Sequence, residues 1–427
     1  MSKSGTPSRH LLYLAFVCGI APACAPAIST PSQQLTRHPP AASAAPAPPA
    51  PHARADVNPT PGSAGPTAPH LPPREAEHAA TRKPTCGLPE DIREPDWPRT
   101  LGDTAAEERP PFAPGTITLA LLPDTQYYAA CKYPHLKNQS EFLSSAQKAR
   151  NIQAAITLGD LTDHNSPEEW SFFKQSLAKV SDGFPLFLTT GNHDLGVRGT
   201  ANARDSLLSQ YFDETWARKS GALREVMEPG TIDNAFYSVN AGAFQLGVLM
   251  LEWSPRRKTV EWANQVLAKH RDHRVIVATH AYLYSDSTRY DFAKKGATQK
   301  WNPLEYGTAQ GVLKKDGNHD GEMLWNALIR RNKNVFMVVN GHVLKNGTGF
   351  VESRGDAGNT VHQVLANYQM LDEGGLGYLR LLEILPDGKT LRMKTYSPSL
   401  KLYSYAKDQY FSFNVEPPLY LHSLSEF

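Results

Sequence analysis

The sequence predicts an α/β fold with mixed sheets, and three observations carry that expectation. Strand-like and helix-like runs alternate from residue 117 to residue 340. Five polar motifs fall where hydrophobic strand runs end, the place where open α/β sheets build their sites. Beyond residue 360 the pattern turns mostly to strand, which predicts a β-rich C-terminal part.

The elements follow in order. Ile117 to Leu122 is a hydrophobic strand. Ser140 to Asn151 is a helix with Ser140 as its cap. Ala154 to Leu158 is a strand, Pro167 to Val180 a helix and Pro185 to Thr190 a strand. Phe236 to Val239 and Ala243 to Glu252 form an antiparallel pair around the turn Asn240-Ala241-Gly242. Thr259 to His270 is a helix, Arg274 to Thr279 a strand, Gly321 to Arg331 a helix and Val335 to Asn340 a strand. The last strands are Val361 to Ala366, Gly377 to Leu385 and Thr390 to Tyr396, with Pro386-Asp387-Gly388 turning between the last two.

The N-terminal quarter reads differently. Arg9 and His10 precede an apolar stretch from Leu11 to Val17, and small residues run on to Cys24. That order is a secretory signal over 1–24, too short for a membrane span. Ala21-Pro22-Ala23-Cys24 resembles a bacterial lipobox, in which Cys24 would carry lipid. Residues 25–112 are an extended tether. Its Pro- and Ala-rich part, to about Arg82, lacks the long apolar side chains that would offset ordering entropy. The folded domain is then 113–415, with a tail over 416–427. Cys86 and Cys131 remain in the exported chain either as a disulfide or as two thiols. Lys+Arg 44 against Asp+Glu 42 leaves a net charge of +2, and no basic tract points to nucleic acid. The expected partner is a phosphoester, small or macromolecular. The membrane enters only through an N-terminal lipid, and the chain is expected to be a monomer.

The strand-end motifs are Asp124-Thr125-Gln126, Gly159-Asp160, Gly191-Asn192-His193-Asp194, Thr279-His280 and Gly341-His342. Their donors are oxygen and imidazole, which suit Mn, Fe or Zn. Two such ions can share a carboxylate, and Asp160 is the natural bridge. Asp124 would hold the first ion, and Asn192, His280 and His342 the second. His193 would face the substrate as a proton donor.

In this order and spacing the motifs resemble the calcineurin-like metallophosphoesterases, over about Ile117 to Tyr396. The resemblance implies an αββα four-layer sandwich with a dinuclear site at the sheet ends. It also implies phosphoester hydrolysis by a metal-activated hydroxide, with Asp160 and His193 as the catalytic residues.

Two positions depart from the pattern. Gln126 stands where most members carry His, as in a subset with Pro-Asp-Thr-Gln, and its carbonyl is a weaker ligand. Leu344 stands where most members carry a first-metal His. Water or another side chain, such as His362, would have to complete that first site. A second reading therefore stands beside the enzyme: a non-catalytic tethered surface protein with a degenerate single-metal site.

Overall fold

The computed structural model describes residues 97–180, 183–417 and 419. The export signal, most of the tether, Cys24 and the Cys86 end of the expected bridge lie outside the described residues. Among those described, no helix is long and apolar enough to cross a membrane.

Two mixed sheets form the centre. The first contains β1 (Thr104–Ala105), β2 (Ile117–Leu122), β3 (Ile152–Thr157), β4 (Leu186–Phe187), β12 (Leu379–Ile384), β13 (Thr390–Ser397), β14 (Leu402–Ser404) and β15 (Phe411–Asn414). Its order is β1-β14-β13-β12-β2-β3-β4, with β15 also on β13. The second contains β5 (Leu223–Val226), β6 (Ala235–Asn240), β7 (Gln245–Met250), β8 (Arg274–Ala278), β9 (Val335–Asn340), β10 (Thr348–Arg354) and β11 (Thr360–Ala366). Its order is β10-β11-β9-β8-β7-β6-β5. The parallel strands β2, β3 and β4 close one end of the first sheet, and β7, β8, β9 and β11 occupy the middle of the second.

The side-chain alternation of a strand explains the layers. On β8, Ile276 and Ala278 join the large core that also holds Leu119, Leu121 and Leu381 of the first sheet. Val275 and Val277 point the other way, into a second core. There they meet Val260, Ala263 and Leu267 of the helix Arg257–Lys269. Trp170 and Phe173, from the helix Pro167–Ser176, join the first core. Both cores hold fully buried branched side chains, each worth about 1.5–3 kcal/mol when removed from water.

Several boundaries differ from the sequence reading. The helix expected from Ser140 runs His135–Ala146 and begins after Pro134, so Ser140 is buried inside it rather than capping it. The helix expected over Gly321–Arg331 is one α-turn, Gly321–Leu324, continued by a π-turn, Trp325–Ile329. The chain also joins the fold before residue 113. β1 pairs with β14, and Glu108 meets Arg150 at 2.6 Å and buried Lys394 at 2.7 Å. A short strand and one charged clasp leave little hydrophobic pattern, so a Pro-rich stretch conceals them.

Candidate metal centre

The strand-end residues converge at one end of the two facing sheets. Asp124 follows β2, Asp160 follows β3, His280 follows β8 and His342 follows β9. Asp160, His280 and His342 offer ligand atoms within 4.8 Å of one another, all buried. Asp160 Oδ2 lies 3.1 Å from His280 Nε2, and Asp124 Oδ1 lies 4.0 Å from the same nitrogen. The Gln126 side-chain amide donates to Asp160 Oδ2 at 3.3 Å. The His193 backbone N–H donates to Asp160 Oδ1 at 2.9 Å. Asn192, its neighbour, is buried.

The backbone at these exits is unusual. Asp124, Asp160 and His342 adopt φ of 35°, 48° and 75°. A left-handed conformation is costly for a residue with a Cβ and persists where surrounding contacts over-determine it. Here the contacts are visible: the His342 N–H donates to Asp124 Oδ1 at 2.8 Å, tying β9 to β2 across the sheets. The glycines beside these residues make room. A Cβ on Gly341 would come within 3.0 Å of Asp124 Cγ, and one on Gly191 within 2.7 Å of Asp160 Cγ.

Each imidazole is fixed by its other nitrogen. His280 Nδ1 donates to the Leu158 carbonyl at 2.6 Å, which turns Nε2 toward the carboxylates. His342 Nε2 donates to the Trp301 carbonyl at 2.8 Å, which leaves Nδ1 as the ring's lone-pair nitrogen. Burial, with the nearby His280 charge, pushes the His342 pKa down to about 3, so the ring stays neutral. Burial alone would lower His280 as well, but the Asp160 carboxylate beside it pushes it up to about 9. Of the two acids, burial pushes Asp124 well above the ordinary carboxyl value. Burial would raise Asp160 too, but His280 and His193 hold it below that value.

Three ligand-type oxygens in this region are buried without a hydrogen-bond partner, Asp124 Oδ2, Gln126 Oε1 and Asn192 Oδ1, and His280 Nε2 has the Asp160 carboxylate beside it. Each such orphan costs about 1–3 kcal/mol unless something satisfies it. Three oxygens and an imidazole nitrogen are the donors a divalent ion takes, so the residues present fit the expected metal.

The remaining expectations separate here. Leu344 packs with Trp97 and Met370, with Trp301 beside them, and brings no donor. His362 does not complete the first site. It pairs with Met337 in the middle of β9, packs on Phe413 with ring centroids 4.5 Å apart, and faces Glu352. In the run Asn318-His319-Asp320, which resembles a strand-end motif, Asp320 caps the helix Gly321–Leu324.

Two further residues, Trp253 and Asp163, stand beside the cluster. Trp253 is buried with its ring 5.6 Å from His280 and 5.0 Å from His342. It follows β7 as His280 follows β8, so the strand-exit rule that found the others also points to it. The Asp163 carbonyl accepts from His193 Nδ1 at 2.9 Å, and its carboxylate lies 3.3 Å from the same atom. About a third of the His193 side chain, 34%, remains exposed, which leaves the ring accessible to a substrate. Asp194 receives the Leu161, Thr162 and Gly191 N–H groups and the Thr162 hydroxyl, and so binds the two loops that carry Asp160 and His193.

Carboxylates, amides and imidazoles gathered at the exits of parallel strands define a metal-binding α/β protein. The profile of the calcineurin-like phosphoesterases matches residues 117–346, more than half of the chain, and the protein belongs to that family of metal-dependent hydrolases. An uncharacterized protein of Bacillus subtilis strain 168, YvnB, is 30% identical over 304 residues, which is 69% of this chain. The chain spans only 21% of that relative's length. Among solved structures, a dimetal phosphatase from Danio rerio is 13% identical, with a TM-score of 0.39, over 70% of this chain and 98% of that one. GAP50, described as the anchor in the inner membrane complex of Plasmodium, is 12% identical at a TM-score of 0.39, over 70% of this chain and 88% of that one.

Proposed function

We propose that the chain hydrolyses a phosphate monoester or diester at the strand-end cluster. The observation that carries this reading is the set of three buried, unpartnered ligand oxygens on Asp124, Gln126 and Asn192, beside the triad Asp160, His280 and His342. Asp124, Gln126 and Asp160 would hold one divalent ion, and Asp160, Asn192, His280 and His342 a second. Mn, Fe or Zn suit these donors. When bound, such ions supply Lewis acidity and lower the pKa of a coordinated water.

The chain's own side chains do the rest. His193 is oriented through Nδ1 by Asp163, so Nε2 faces outward to meet the ester. Burial would lower its pKa, but the Asp160 and Asp163 carboxylates push it up to about 9. It therefore carries a proton at neutral pH and can deliver it to the departing alkoxide. Asp194 keeps Asp160 and His193 in register, and buried Trp253 packs against the His280 and His342 rings. Asp160→Ala and His193→Ala should each abolish most turnover of p-nitrophenyl phosphate or its bis-ester, with His193→Ala still binding metal. Full activity in both variants would refute the assignment.

Leu344 in its apolar cluster favours a second reading, a protein that binds one ion and turns nothing over. One tightly bound ion per chain by elemental analysis, with no hydrolysis of any phosphoester in added Mn or Fe, would select it. The pattern of residues 1–24 and the Pro/Ala-rich run behind it support export and tethering to the cell envelope. Labelling with a radioactive fatty acid, lost in Cys24→Ser, tests the anchor.

A further inference from the structure

At the opposite end of the second sheet lies a cavity of about 580 Å³. Arg274 opens β8, whose far exit leads to His280, and Asn334 precedes β9, whose far exit leads to His342. A strand of five or six residues spans roughly 20 Å, so the cavity is separate from the metal centre. Its volume lies within the range of small-molecule sites, about 300–1,000 Å³.

The lining is cationic. Arg271, Arg274, Lys333 and Arg354 face it, with Asp272 and Glu416 as the only acids among the described lining residues. Asp272 is engaged by His273 at 3.0 Å, and Glu416 lies 3.8 Å from Arg354. Arg271 and Lys333 are exposed and have no carboxylate partner among the described residues. The excess of two positive charges is therefore uncompensated. Two further groups are buried and unsatisfied there: the donor Arg274 Nε and the acceptor Asn359 Oδ1. Arg274 is held by its other end, donating from Nη2 to the Pro417 carbonyl at 3.0 Å.

An excess of two cations calls for a dianion, and an unsatisfied donor and an unsatisfied acceptor on the same lining call for a ligand that offers both hydrogen-bonding roles. We propose that this cavity binds a small phosphate monoester that also carries hydroxyl groups, a sugar or polyol phosphate. The phosphate lies among Arg271, Arg274 and Lys333, and a hydroxyl donates to Asn359. The site is independent of the catalytic reading.

Calorimetry on the full chain in EDTA, where no hydrolysis occurs, tests it with glucose 6-phosphate as the probe. One saturable site is expected, absent with glucose. The double variant Arg271→Ala/Lys333→Ala should weaken it roughly tenfold or more, the equivalent of about 1.4 kcal/mol. Both side chains are exposed, so this variant should melt like the wild type. Arg274→Lys, which keeps the charge and removes the Nε donor, should weaken it as well. His193→Ala and Asp160→Asn should leave it unchanged. Three results would overturn the proposal: no saturable binding at millimolar probe, binding unaffected in the double variant, or binding lost in His193→Ala. Inorganic phosphate binding as tightly as glucose 6-phosphate would overturn the hydroxyl requirement.

Discussion

Replacing Gly191 by alanine tests whether the close approach of two loops sets the metal centre. Gly191 has an ordinary backbone conformation, so alanine meets no dihedral penalty and only space decides. Its Cβ would lie 2.7 Å from Asp160 Cγ, and closer still to Oδ1 and the backbone nitrogen of Asp160. Asp160 cannot step aside cheaply. Its Oδ1 accepts from the His193 N–H at 2.9 Å, and its Oδ2 faces Gln126 and His280. Restoring an ordinary contact of 3.4 Å moves the loops apart by about 0.7 Å at Cγ and by more at the nearer atoms. Overpacking of this kind costs about 1–3 kcal/mol, which lowers the melting temperature of a domain this size by roughly 3 °C at mid-range. A misplacement near 1 Å costs on the order of 100-fold in rate. Gly102→Ala is the control: nothing lies within 4 Å of its Cβ, and it should stay within about 0.5 kcal/mol of wild type. Thermal unfolding and p-nitrophenyl phosphate hydrolysis in Mn read both effects. A Gly191→Ala protein with wild-type melting temperature and rate would refute the reasoning.

Two further outcomes follow from the same geometry. Removing metal by chelation should lower the melting temperature, because ions that bind only the folded chain stabilise it by about 4 kcal/mol at a thousand times their Kd; Asp160→Asn should abolish most of that difference, and a wild-type melting curve unmoved by chelator and by added Mn would contradict it. Burial alone would raise the Glu252 carboxyl, but the hydrogen bonds and charges of Arg256 and Arg204 hold it below its ordinary value. A depressed carboxyl contributes stability in full above the unfolded value of about 4.3 and loses it as pH falls through the lower folded value. Glu252→Ala, which strands Arg204 and Arg256, should cost about 3–5 kcal/mol at neutral pH, and Glu252→Gln should flatten the acid limb of a denaturation series; an unchanged limb in the Gln variant would assign it to other groups.

Much of this architecture was legible in the sequence because the central strands are bounded sharply. The expected limits of Ile117–Leu122 and Val335–Asn340 coincide with β2 and β9, where uniform hydrophobic runs stop at polar exits. β10 went unread: an edge strand with half-exposed polar residues has no strong alternation. The helix from His135 also began unread, since Pro134 caps it without a side-chain hydrogen bond. At the site, the strand-exit residues were legible as types in order, and the structure brings them together. The Trp301 carbonyl that orients His342 was not, because a backbone acceptor leaves no signature in residue identity. Nor could the sequence tell that Leu344 faces Trp97 and Met370, since nothing marks a contact across more than two hundred residues.

That last contact bears on how the domain responds to force. Trp97, the first described residue, packs with Leu344, two positions beyond His342. Arg99 then accepts from the Asp372 N–H, and Glu108 clasps Arg150 and Lys394 on the first sheet. Tension applied at Trp97 would reach the His342 loop before it reaches that clasp. A pull on Trp97 would therefore tug first on the loop that presents His342, the proposed metal ligand.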